Sequence, residues 1–241
     1  MIVIPEKVAF IKVPKAASTT IARLFWDSHR TKQIGQLEPK VATTIQYFMT
    51  LEQVGQNIPI LNGNWFFNRS GAFGWHASYD DLLHLFGKQL DDYLWVSSVR
   101  HPVARLFSAF SFQIAKGRIS ASLCAADFEK FCFMVFSDST HLNLQQRIHT
   151  WPQSAWLPPV DANIQLSIIR QERLREDLQR LSERVPSFST IEIGHDGKSF
   201  EGQWQEYVSE DLRRRIEDHY AEDMDRFGYR KLVAQESRVA K

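Results

Sequence analysis

A unit that occurs twice sets the fold: a short β-branched run, a turn of small or polar residues, then helical spacing. Residues 7–13 (KVAFIKV) read as a buried strand that stops at Pro14. Residues 14–20 (PKAASTT) form the turn, and residues 19–30 place Ile21, Leu24 and Phe25 on one helical face. Residues 93–99 (YLWVSSV) then give a second strand, Arg100-His101-Pro102 a second turn, and residues 103–115 a second helix. Pro102 suits a helix start, because its fixed φ is already helical and its missing N–H is not needed there. A third strand is expected at 165–169. Strands alternating with helices predict an α/β protein around a mostly parallel sheet.

The rest of the pattern is mainly helical. Helices are expected at 127–136, 142–148 and 171–184, the last with Leu174, Leu178 and Leu181 on one side. A final helix is expected at 209–227, started by Ser209 with acids in its first turn. The acidic face at 217–225 reads as solvated. Residues 150–160 hold three prolines and must be irregular. Residues 77–86 suggest a helix capped by Ser78. Loops around one helix at 41–54 are expected within 31–75, and another loop at 189–202.

The 241 residues suit one α/β domain, or at most two small ones. Lys plus Arg number 29 and Asp plus Glu 28, which excludes a strongly basic binder of nucleic-acid polymers. The balance is uneven, however. Residues 1–120 carry 13 basic and 8 acidic side chains, a net of +5, while the remainder carries −4. A small anion should therefore bind mainly on the first half. The apolar N-terminal run is interrupted by Pro5, Glu6, Lys7 and Lys12 and reads as strand, not as a leader or membrane span. Cys124 and Cys132, eight residues apart in a helical stretch, would lie ~12 Å apart and cannot bond. Free buried thiols and a cytoplasmic location are the expectation.

Two turns carry the chemistry. In the first, Lys15, Ala16, Ala17, Ser18, Thr19 and Thr20 join a strand to a helix N-terminus. Backbone N–H groups, the helix dipole, one ammonium and three hydroxyls make an anion site there. The loop has no glycine, and Lys15 precedes Ser18 by three residues, so it is not a Walker A sequence. The same residues also describe an ordinary capped helix start. In the second turn, Arg100 ends a strand, where α/β proteins bind ligands, and Ser108 follows eight residues later. Arg100 offers a fork for phosphate oxygens.

In tandem these motifs resemble the sulfotransferases. PKAASTT is similar to their 5′-phosphosulfate loop, and RHPVARLFSAF to their 3′-phosphate element, with its Arg, Pro and Ser spacing. The nearest branch is the carbohydrate-type sulfotransferase 2 family. Gly74-Trp75-His76, His149-Thr150-Trp151-Pro152-Gln153, the 169–178 segment and Tyr220 to Tyr229 resemble further family segments. Gln171 stands where an aromatic is usual, and residues 31–75 match no family segment.

The resemblance implies a P-loop NTPase-like three-layer sandwich in one domain, 1–241. Most donor motifs would lie in 1–120 and the acceptor side in 121–230. It implies 3′-phosphoadenosine 5′-phosphosulfate (PAPS) as donor, 3′-phosphoadenosine 5′-phosphate (PAP) as product, and no metal. Lys15 would stabilise the leaving phosphate, residues 16–20 would hold the 5′-phosphate, and Arg100 with Ser108 the 3′-phosphate. His76 would be the general base, with His149, Trp151 and Gln153 binding the acceptor, a carbohydrate or other small molecule. Two other readings stand beside this one: a P-loop-type small-molecule kinase, and a binding module without catalysis.

Overall fold

The computed structural model describes residues 2–4, 7–21, 76, 78–80, 83, 90, 92–137, 142–186 and 204–230. The chain divides into two compact units: Met1–Ser98 with Ala155–His195, and Val99–Ser154 with Asp196–Lys241.

The first unit holds a four-stranded sheet in the order β1-β2-β3-β4, formed by Ile2–Ile4, Val8–Ile11, Leu94–Val99 and Leu166–Arg170. Three of its strands are parallel. The fourth, β1, runs antiparallel to β2, with Ile2 opposite Phe10 and Ile4 opposite Val8. The apolar N-terminal run is thus two strands rather than one. They are separated by a turn in which Lys7 takes a left-handed φ of 58°. β2 pairs in parallel with β3, Val8 facing Leu94 and Ile11 facing Ser97. All four β2 residues are buried, as a near-continuous apolar run in a parallel sheet should be.

A helix, α4 (Leu174–Arg184), follows β4 through a short 3-10 turn at Gln171–Arg173. Its Leu178 and Leu181 enter a core with Val8, Phe10, Ile21, Val96 and Ile169, and Leu174 packs at the margin. This is the leucine stripe predicted from the spacing. Asp177 ties helix to strand: its carboxylate accepts the Arg170 N–H at 2.7 Å and pairs with Arg180.

The second unit is helical: α1 (Pro102–Ala115), α2 (Ala125–Ser137), α3 (Leu144–Thr150), α5 (Glu210–His219) and α6 (Ala221–Arg226). Pro102 occupies the first turn of α1. At its far end Gly117 takes φ 62°, and the N–H groups of Gly117 and Arg118 close on Ile114 and Gln113. That pair of bonds is a Schellman stop, which a left-handed glycine makes cheap. Asn143 and Gln146 form a reciprocal capping box on α3, and Ser209 accepts the Leu212 N–H to start α5. Phe107, Phe110, Phe128, Phe131, Leu212 and Ile216 build the core. Cys132 lies in it, where burial pushes its thiol well above the ordinary range, and both cysteines are free.

The final helix departs from the expected 209–227. It breaks at Tyr220, whose φ of −104° and ψ of 35° leave the helical region before α6 begins. The break lets the buried Tyr220 hydroxyl donate to the Thr150 carbonyl at 2.5 Å. It also changes the reading of the acidic face, because Asp223 is fully buried rather than solvated. Among the described residues no helix is long and apolar enough to cross a membrane. The helix expected at 41–54 and the loops of 31–75 and 189–202 lie outside the described residues.

Candidate functional site

The PKAASTT turn follows β2 directly. Lys15 and Ala17 adopt φ of 66° and 56°, while Ala16 between them does not take a positive φ. A left-handed residue with a side chain costs roughly 1–2 kcal/mol. Two within three residues persist only because their surroundings fix them. Val13 and Ala16 are fully buried and Ser18 nearly so, which anchors the turn on the core. The Ile21 N–H donates to the Ala17 carbonyl at 3.1 Å, so Ala17 caps the helix that opens at Ser18. Backbone of alternating handedness is the pattern of a nest, whose successive N–H groups can face an anion. The nest leads into a helical first turn, whose N–H groups have no acceptor within the helix. Lys15 is half-buried beside it, Thr20 is half-buried and Thr19 is exposed.

His76 joins the same unit. Its Nδ1 lies 2.9 Å from the carbonyl oxygen of Lys12, three residues before Lys15. A carbonyl only accepts, so Nδ1 carries the proton and Nε2 keeps its lone pair. The ring also meets the buried Trp156 edge-on at 6.2 Å. Burial lowers the imidazole's pKa to about 3. The Lys12 and Lys15 ammonium groups push the same way, against the opposing hydrogen bond. His76 is therefore neutral at physiological pH, in the tautomer that can take a proton at Nε2.

In the second unit Arg100 is buried at the point where the chain leaves β3. Its backbone N–H donates to Gln153 Oε1 at 2.9 Å, and Gln153 Nε2 donates to its carbonyl at 2.8 Å. The Gln153 and Ser154 N–H groups in turn donate to the two carboxylate oxygens of Asp223, at 2.7 and 2.8 Å. Arg105, from the same motif, is buried as well, and its Nη1 donates to the Trp151 carbonyl at 2.7 Å. Burial lowers the pKa of this guanidinium, and the charge on Asp223 opposes that. Ser108 is half-buried on α1.

His101 packs on Trp204 and Tyr229 and lies 3.8 Å from Glu217. Burial lowers its pKa to about 4, with Arg213 and Arg100 adding to the effect. His149 is buried, its Nδ1 3.0 Å from Gln113 Nε2, while Trp151 is 41% exposed. The structure thus brings His76 together with the Lys15 segment, and Gln153 together with Arg100. The part of Lys12 and the bonds that join Gln153 to Arg100 and Asp223 could not be read from the sequence, where Gln153 was expected on the acceptor side; its amide instead bonds to the Arg100 backbone. Gln153 and Asp223 are 70 residues apart, and no local pattern links them. Among the described residues no group of three or more His, Cys, Asp or Glu could hold a metal ion.

The mostly parallel sheet, with helices following its strands, is consistent with a P-loop-like α/β fold. The comparison with family models names the class: the model described as "Sulfotransferase family" matches residues 2–230. The chain belongs to the sulfotransferase 2 family. Comparisons with curated proteins and with solved structures find no significant match.

Proposed function

We propose that this sulfotransferase moves the sulfuryl group of PAPS to a hydroxyl or amine of a carbohydrate acceptor. The observation that carries the reading is the nest at Lys15–Ala16–Ala17, which is strained, glycine-free and adjacent to a neutral histidine. Backbone strain of this kind clusters at functional sites.

Residues 16–20 hold the donor's 5′-phosphate through backbone N–H groups and hydroxyls. Arg100 and Ser108 bind the 3′-phosphate, which distinguishes this donor from ATP. As the acceptor oxygen bonds to sulfur, the bond between sulfur and the bridging oxygen breaks, and its electron pair leaves with PAP. Lys15 stabilises the charge that develops on that bridging oxygen. His76 takes the acceptor's proton at Nε2, while its Nδ1–H stays on Lys12. No step asks for a metal. His149 and Trp151 serve the acceptor side, and the exposed indole of Trp151 offers a face on which a sugar can stack.

The test is thermal stabilisation by PAP set against ATP and ADP. A specific ligand raises the melting point by mass action, by RT ln(1 + [L]/Kd). PAP should stabilise at concentrations where ATP does not. Stabilisation by ATP with magnesium and none by PAP would overturn the reading in favour of a kinase.

A further inference from the structure

We infer that Gln153 and Asp223 are positioning residues that set the direction from which Arg100 meets the donor's 3′-phosphate; this rests on the role proposed for Arg100. Arg100 is the first residue beyond β3. Where a chain leaves a sheet, its N–H and C=O lose their partners on the neighbouring strand. Here one side chain replaces the neighbouring strand. The Gln153 amide accepts from the Arg100 N–H at 2.9 Å and donates to the Arg100 carbonyl at 2.8 Å.

Both bonds have a fixed sense, since an N–H can only donate and a C=O can only accept, so the amide has one orientation. Gln153 is fully buried, and water does not compete for these bonds. The clamp is itself held. Asp223, also fully buried, accepts the N–H groups of Gln153 and Ser154 on its two oxygens, at 2.7 and 2.8 Å. Arg226 Nη1 reaches the Ser154 carbonyl at 3.4 Å.

Asp223 thus fixes the Gln153-Ser154 segment, and the Gln153 side chain fixes both backbone groups of the arginine. Fixing N–H and C=O together fixes φ and ψ, and therefore the direction of the Cα–Cβ bond. An arginine side chain is long, so a small rotation at Cα moves its guanidinium far from a phosphate. Neither Gln153 nor Asp223 needs to touch a ligand to govern this.

The experiment compares affinities of the full chain for PAP and for adenosine 5′-phosphate, which lacks the 3′-phosphate. The ratio isolates the 3′-phosphate contact, whereas a general loosening of the fold weakens both ligands alike. The variants are Gln153→Met, Gln153→Glu, Asp223→Asn and Arg100→Ala. Gln153→Met keeps the volume and removes both bonds. It should lower the PAP affinity roughly tenfold or more, as misplacement of a binding group does, and leave adenosine 5′-phosphate unchanged. Gln153→Glu keeps the acceptor for the Arg100 N–H and loses the donor to its carbonyl. It should give an intermediate ratio, and it serves where Gln153→Met does not fold. Asp223→Asn should shift the ratio in the same direction.

If Arg100→Ala abolishes the preference for PAP and the Gln153 variants leave it intact, the positioning role is wrong and the donor reading stands. If the unaltered chain shows no preference, or Arg100→Ala leaves it unchanged, the role of Arg100 falls, and this inference falls with it.

Discussion

Asp223→Ala should strongly destabilise the helical unit. The carboxylate is fully buried and accepts two backbone N–H groups, from Gln153 and Ser154, at 2.7 and 2.8 Å. Alanine leaves both donors buried without that acceptor, at about 1–3 kcal/mol each. It also removes the anionic charge that offsets the burial of the Arg105 guanidinium. The terms overlap, so they do not add, and the expected loss is about 4 kcal/mol. For a chain of this size each kcal/mol moves the melting temperature by about 2–4 °C, so the melting point should fall by roughly 10 °C. Guanidinium chloride unfolding monitored by tryptophan fluorescence measures the loss as a lower midpoint at unchanged slope. Asp223→Asn keeps one acceptor oxygen and should lose about half as much. A loss below about 1 kcal/mol for Asp223→Ala would refute the reasoning, because it would mean that water or another group readily satisfies the two amides.

Other outcomes follow from the same geometry. At position 17, stability should rank glycine at or above alanine, and alanine above valine by about 2 kcal/mol, since a β-branched residue resists φ of 56°; thermal melts check the order. Lys15→Ala should lower turnover by about 10²–10³-fold, the usual cost of removing a donor at a developing oxyanion, in an assay of sulfated product. His76→Ala should abolish turnover while PAP still raises the melting point; activity that survives the change would remove His76 from the base role. Stability should fall as pH drops from 6.5 toward about 4. In that window His101 stays neutral when folded and binds a proton when unfolded, so the unfolded state gains. His76 extends the loss toward about pH 3. His101 alone contributes on the order of 3 kcal/mol across its window, and unfolding titrations of His101→Phe at pH 7 and 4.5 should show a weaker pH dependence.

Much of the architecture was legible because it rests on local patterns. The apolar runs at 7–13 and 93–99 became β2 and β3, the leucine stripe of 171–184 faces the core, and Ser209 caps a helix as its type and place predict. The turn at 14–20 was legible for a similar reason, since small residues with one lysine between a strand and a helix form a local pattern. Its handedness was not. No glycine announces a left-handed residue here, and the buried Val13, Ala16 and Ser18 anchor the turn that holds Lys15 and Ala17 there. The separate strand β1 was hidden because one apolar run fits one strand or a hairpin equally well.

The amino-acid sequence alone determined the alternation of strand, turn and helix, the family, and the residue types gathered at the two turns, since these depend on neighbours a few positions apart. Tertiary structure decided what the buried polar groups do. It took Asp223 out of an acidic helix face and set it on Gln153, gave Gln153 the backbone of Arg100 to hold, and put the His76 proton on Nδ1 by placing the Lys12 carbonyl beside it. Those assignments follow from the need of a buried N–H or C=O for a partner. Which partner it finds, across 53 or 70 residues, is settled only when the chain has folded.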